Sequence, residues 1–159
     1  MTILYLHGMG GGTASRIPSY LEENLTGDKI VIRIYDFNPT MANEQIAEWF
    51  KEVQPNLVIG ESWGATHALA LEGVPVLLIS PAINAAWYFS VLSFFTLIPG
   101  VPRLIGRAFK PHGDSGRQIM SFNFRNMWRW LHYRHVAREV ARASEHPHFA
   151  FIGKSDGYR

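Results

Sequence analysis

The chain has 159 residues and a mass of 18.0 kDa, the size of one domain with one core. Hydrophobic residues make up 47% and charged residues 18%, which excludes a disordered chain and a fibre. Cysteine is absent, so disulfides, thiolate chemistry and thiolate metal sites are excluded, and a cytoplasmic setting fits.

The elements follow in chain order. Ile3 to Leu6 reads as a short buried strand, followed by the glycine-rich loop His7 to Gly12. Ile17 to Leu25 has helical composition, with Pro18 tolerated near its start. Lys29 to Tyr35 predicts a second strand, and Asn43 is the expected cap of a helix through Val53. Leu57-Val58-Ile59 enters a third strand, Ala65 to Glu72 is helical in composition, and Val74 to Ile79 predicts a fourth strand. The rhythm then changes. Residues 82 to 118 do not read as one regular element and look like a cap-like insertion within a single domain spanning 1–159. Gln118 to Tyr133 and His135 to Ser144 predict two helices, and His148 to Ile152 is the fifth strand. Strands fit for burial on both faces alternate with helices, which predicts a three-layer α/β sandwich with a mostly parallel sheet of about five strands.

Charge is unevenly spread. Met1 to Val101 holds four basic residues against nine acids, whereas Arg103 to Arg142 holds nine basic residues against Asp114 and Glu139. The four-residue spacing of Arg134, Arg138 and Arg142, and of Arg125 and Arg129, reads as the solvated side of a helix and not as a nucleic-acid surface. Between Gly73 and Pro102 no charge occurs. The dense apolar run there, Trp87 to Ile98, is 12 residues long. That is below the ~17–25 a transmembrane helix needs, so it reads as a cap or pocket wall with no integral span. The N-terminus has no basic region and does not read as a signal peptide.

The chemistry concentrates in Gly60-Glu61-Ser62-Trp63-Gly64. A serine on a very tight strand-to-helix turn leaves no room for side chains two residues to either side, so both places go to glycine. Ser62 is the candidate nucleophile, with the amides of the following helix aimed near it. The loop His7-Gly8-Met9-Gly10-Gly11-Gly12 lacks the lysine and hydroxyl ending of a phosphate loop. It suits a backbone that must approach a reacting oxygen. The Met9 and Trp63 amides are the expected oxyanion donors, and His7 is expected to order the loop through hydrogen bonds. Asp156 in Gly153-Lys154-Ser155-Asp156 follows the last strand, at the same sheet edge as Ser62, and is the candidate acid. Trp87, Tyr88 and Phe89 are candidate pocket residues. The seven histidines form no recognised ligand pattern, so no metal is expected.

With these motifs the sequence resembles the α/β-hydrolase superfamily, and within it the small bacterial serine esterases with a minimal cap. His7-Gly8, the Ser62 turn and the Asp156 turn carry the resemblance, and Ser80-Pro81-Ala82 adds to it. The resemblance implies hydrolysis of carboxylic esters or related small acyl substrates through an acyl-serine, without a cofactor. The family's histidine follows the acid after one further strand, whereas here only Gly157-Tyr158-Arg159 follow Asp156. The last strand and histidine loop of that fold are thus not read here. Three explanations stay open: a fragment, an internal substitute, or a hydrolase-fold protein that binds without turnover. Among internal histidines, His112 in the cap region is the candidate. His67 is carried away by its helix, and His146 and His148 fall at the wrong end of the last strand. His132 and His135 read as surface residues. A peripheral membrane or partner-binding domain built on segment 87–98 and the following arginines is a further reading, and an open last strand would favour a homodimer.

Overall fold

Large apolar side chains alternate along β1 (Thr2–Leu6), sending Leu4 and Leu6 to one face of a sheet and Ile3 and Tyr5 to the other. All four are fully buried, and a strand buried on both faces belongs inside a sheet. The computed structural model describes residues 1–13, 15–83, 85–108, 116–143, 145 and 147–151, the side chains of residues 85–87 excepted. In it β1 lies between β2 (Lys29–Ile32) and β3 (Leu57–Glu61). β4 (Val76–Ile79) and β5 (His148–Phe151) continue the sheet beyond β3. The order is β2-β1-β3-β4-β5 and every pairing is parallel.

Parallel neighbours need crossovers, and the helices supply them. α1 (Arg16–Asn24) covers one face through Ile17 and Leu21, against Ile3, Tyr5 and Ile59. α2 (Pro39–Val53), α3 (Gly64–Ala68) and α6 (Phe124–Ala143) cover the other. There Ala42, Ile46, Ala65, Ala68 and Ala137 meet Leu4, Leu6, Val58 and Val76. Small residues at these helix positions let the helices approach the sheet closely. α4 (Ala85–Phe95) and α5 (Val101–Ala108) lie in the segment expected as a cap, with α4 packed along α6. The result is a three-layer α/β sandwich around a parallel five-stranded sheet. The chain after β1 leaves toward the α1 face and the chain after β3 toward the other. The carboxyl ends of these adjacent strands therefore flank a crevice.

Several local expectations are corrected. The helix after β2 begins at Pro39, not at Asn43: Asn38 caps it, its side chain accepting from the Thr40 amide at 3.1 Å, with proline in the first turn. Asn38→Ala is expected to lower stability by about 1 kcal/mol, read as a shift of the urea midpoint at unchanged slope. β2 stops at Ile32, and the following loop turns Tyr35 and Phe37 inward, where both are buried. Residues 124–143 form one continuous helix, not two. Met127, Trp130, Tyr133 and Ala137 make an unbroken buried stripe through the place where a break was expected. The cap segment, read as irregular, contains two helices. Among the described residues no helix is long and apolar enough to cross a membrane.

Candidate functional site

β3 hands over to α3 within three residues. Ser62 sits at φ +51°, a left-handed conformation that costs a non-glycine residue about 1 kcal/mol or more. Its main chain is pinned at both ends: the Ser62 amide donates to the Ile79 carbonyl at 2.9 Å, and the Ser62 carbonyl accepts from the Ala82 amide at 3.0 Å. The two glycines are steric necessities. A Cβ on Gly60 would lie 2.7 Å from Ala65 Cα, and one on Gly64 would lie 2.1 Å from the Leu6 carbonyl oxygen. The turn is thus pressed between its own helix and the end of β1.

The loop after β1 closes on the same point. A Cβ on Gly8 would stand 3.1 Å from Ser62 Cβ and 3.7 Å from its Oγ, so bare backbone runs beside the hydroxyl. Neither the Met9 nor the Trp63 amide donates a hydrogen bond among the described residues. The side chains of both turn inward. Trp63 is buried edge-on against Trp130 (centroids 4.3 Å apart) and Phe89 (4.8 Å), and Met9 packs on the same aromatic group. Ser62 Oγ has no hydrogen-bond partner among the described residues. α3 is only five residues long, so any charge stabilisation at this turn rests on individual amides and not on a helix dipole.

Gln118, which no sequence pattern singles out, organises the glycine loop. It is buried, accepts from the Gly10 amide at 3.1 Å, and donates its own amide to the Gly11 carbonyl at 2.8 Å. Its Nε2 donates to the Tyr35 carbonyl at 3.0 Å. One glutamine therefore ties the loops after β1 and β2 together. More than a hundred residues separate it from Gly10, and a lone glutamine in an irregular segment carries no local signal.

Two imidazoles lie beneath the site. His7 is fully buried and stacked on Tyr35, with centroids 4.2 Å apart. Its Nδ1 lies 2.7 Å from the Gly8 carbonyl, which can only accept, so Nδ1 carries the proton. Tyr35 in turn donates its hydroxyl to the His7 carbonyl. His67 is equally buried. Tyr133 gives its single proton to Asn43 Oδ1 at 2.7 Å, so its oxygen accepts from His67 Nδ1 at 3.2 Å. Both Nε2 atoms are left as acceptors without partners. Burial lowers both pKa values: that of His67 falls to about 3, first through burial and then through the neighbouring His7, and His7 moves the same way. Both rings are neutral, and neither hydrogen-bonds Ser62 Oγ.

Glu61 faces the α1 side of the turn. It accepts the Tyr5 hydroxyl and lines a surface cleft with Arg16, Ile17 and Tyr20. Burial and the Glu61 carboxylate raise the Tyr5 pKa far above its ordinary value. His132 and His135 are exposed on α6, and His148 opens β5 at the sheet end opposite Ser62. Phe89 touches Trp63, whereas Tyr88 projects outward. His112, His146, Asp156 and the Trp87 side chain lie outside the described residues. The structure therefore brings together Ser62, Gly8, Gly60, Gly64, Met9 and Trp63, while Gly10 is held by Gln118. No group of His, Asp or Glu among the described residues could hold a metal ion. No protein-family model matches the chain, and neither does any curated protein.

Proposed function

We propose that this is a hydrolase-fold domain that binds a small ester or acyl group at Ser62 and that its described residues bind without efficient turnover. One observation carries the reading. The backbone spends conformational energy to hold Ser62 at φ +51° beside the bare Gly8 loop, yet the hydroxyl meets no imidazole. A carbonyl oxygen placed between the unused Met9 and Trp63 amides would accept two hydrogen bonds, with the ester carbon over Ser62 Oγ. Acylation also requires a base for the hydroxyl proton. His7 and His67 are committed to the core, so the described residues supply none.

The same free amides and strained serine favour a second reading, a serine esterase in which Asp156 and a histidine complete the site. An alkyl fluorophosphonate separates the two. On a fully activated serine, Ser62 Oγ attacks phosphorus, fluoride leaves, and the base takes the proton. The binding reading expects no stoichiometric adduct in the intact mass, together with saturation-transfer NMR contacts to methyl butyrate. Those contacts should weaken in Ser62→Asn, because asparagine tolerates positive φ but fills the space beside Gly8. A one-to-one adduct absent from Ser62→Ala would overturn the binding reading and establish the esterase. Neither adduct nor ester contacts would remove both.

A further inference from the structure

α4 turns most of its large apolar side chains outward. Beside Phe89, which packs on Trp63, the inward residues are small and polar: Ser90 and Ser93, and Thr96 just past the helix end, are buried. The hydroxyls of Ser93 and Thr96 are satisfied by nearby main-chain carbonyls. Ser93 Oγ donates to the Ser90 carbonyl at 2.6 Å and Thr96 Oγ1 to the Ser93 carbonyl at 2.6 Å. These short side chains let α4 lie close along α6, as small residues do between membrane helices. The opposite stripe, Tyr88, Val91, Leu92 and Phe95, follows the i, i+3, i+4, i+7 spacing of one helix face and is exposed throughout, Phe95 at 54%. Leu97 and Ile98 extend it past the helix end, and Leu104 on α5 is 68% exposed. At its edge Phe94 meets Phe124 and the half-exposed Trp128, with centroids 5.7 and 5.8 Å away. An exposed apolar stripe of this kind marks a binding face.

Charge selects the occupant. No acidic residue occurs between Glu72 and Asp114, and the charges nearest the stripe on α5 are the exposed Arg103 and Arg107. A second copy docked symmetrically on this face would bring those arginines against their own counterparts, with no acid in the segment to offset them. An anionic lipid surface satisfies both features. The leucine, valine and phenylalanine side chains enter the acyl boundary, Tyr88 and Trp128 sit at headgroup level, and the guanidinium groups meet phosphate and carboxylate. We propose that the α4–α5 face docks the protein in the plane of an anionic membrane, a property that goes beyond the Ser62 reading and stands without it.

Sedimentation of the full chain with phosphatidylcholine vesicles, and with mixed phosphatidylcholine–phosphatidylserine vesicles, tests this directly. Binding is expected only with the mixed vesicles and should fall steeply as salt rises to about 0.5 M. Arg103→Glu/Arg107→Glu should weaken it at least about tenfold. Leu92→Glu/Phe95→Glu alters exposed positions only and should abolish it while the circular dichroism spectrum stays that of the parent. Brominated lipid should quench tryptophan fluorescence in the parent alone. Failure to sediment with anionic vesicles would overturn the proposal, as would binding indifferent to both double variants. So would a concentration-dependent dimer broken by Leu92→Glu/Phe95→Glu, which would assign the face to a second copy.

Discussion

Gly64→Ala is expected to unfold most of the protein, at a cost of more than about 3 kcal/mol out of the roughly 5–15 kcal/mol that holds a domain of this size. The added Cβ would lie 2.1 Å from the Leu6 carbonyl oxygen, 2.6 Å from the Leu6 carbonyl carbon and 2.7 Å from the His7 oxygen. These are main-chain atoms at the end of β1, which is hydrogen-bonded to β2 on one side and β3 on the other. A flexible side chain would swing away, but a central strand moves only by breaking its ladders. The turn cannot retreat either, because a Cβ at Gly60 is already excluded by Ala65 and Ala68, and Ser62 is tied to Ile79 and Ala82. Gly27→Ala is the matched control: nothing lies within 4 Å of its Cβ position and its φ is not left-handed. It should change stability by no more than about 0.5 kcal/mol. Urea unfolding of the two variants checks the contrast. A Gly64→Ala protein within about 1 kcal/mol of the parent would mean that the turn is not clamped against β1 as described.

The same clamp explains what the sequence made legible. Glycines two residues either side of Ser62, between a β-branched strand and an alanine-rich helix, encode a steric fact that needs no partner elsewhere in the chain. The parallel sheet was legible for a similar reason: Ile3 to Leu6 and Leu57 to Ile59 are apolar at successive positions, which only burial on both faces explains. What escaped depends on distance or on inversion. Gln118 works through a contact spanning more than a hundred residues. Tyr35 reads as strand continuation, but it and Phe37 lie in a loop that turns inward, where Gln118 and Trp130 donate to their carbonyls. The cap was opaque because periodicity arguments assume that the apolar stripe faces inward. In and just after α4 the buried positions are Ser90, Ser93 and Thr96, with Phe89 the one large apolar side chain packed on Trp63, so a reading by hydrophobicity puts the helix face on the wrong side. The capping residue of α2 was missed by passing over Asn38-Pro39, a stronger start signal than Asn43. Asn43 has another task, accepting the Tyr133 hydroxyl.

That task leads to the buried imidazoles and to a loss of stability on acidification. The His67 pKa is about 6.5 in an unfolded chain and about 3 in the folded protein, so between these values the unfolded chain holds a proton that the native state refuses. The unfolded state binding more protons, stability must rise with pH across this window. The contribution is complete above about pH 6.5 and drains away as pH falls toward 3, at about 1.4 kcal/mol per pH unit for a single proton. His7 is shifted the same way by burial and adds to the slope within its own narrower window. Protonating His67 would place a charge among Tyr35, Trp130 and Tyr133. Its Nδ1 is already donating, and no carboxylate accepts from it among the described residues. Urea midpoints should therefore be nearly level from pH 7.5 to about pH 6.5 and fall steadily from there to about pH 5, above the range where ordinary carboxylates take up protons. His67→Gln keeps a donor for the Tyr133 oxygen and cannot titrate, so it should flatten the slope by close to one proton while leaving that of His7. A parent protein whose stability is flat from pH 7.5 to 5, or a His67→Gln variant with the parental slope, would show that His67 is not held neutral in the core.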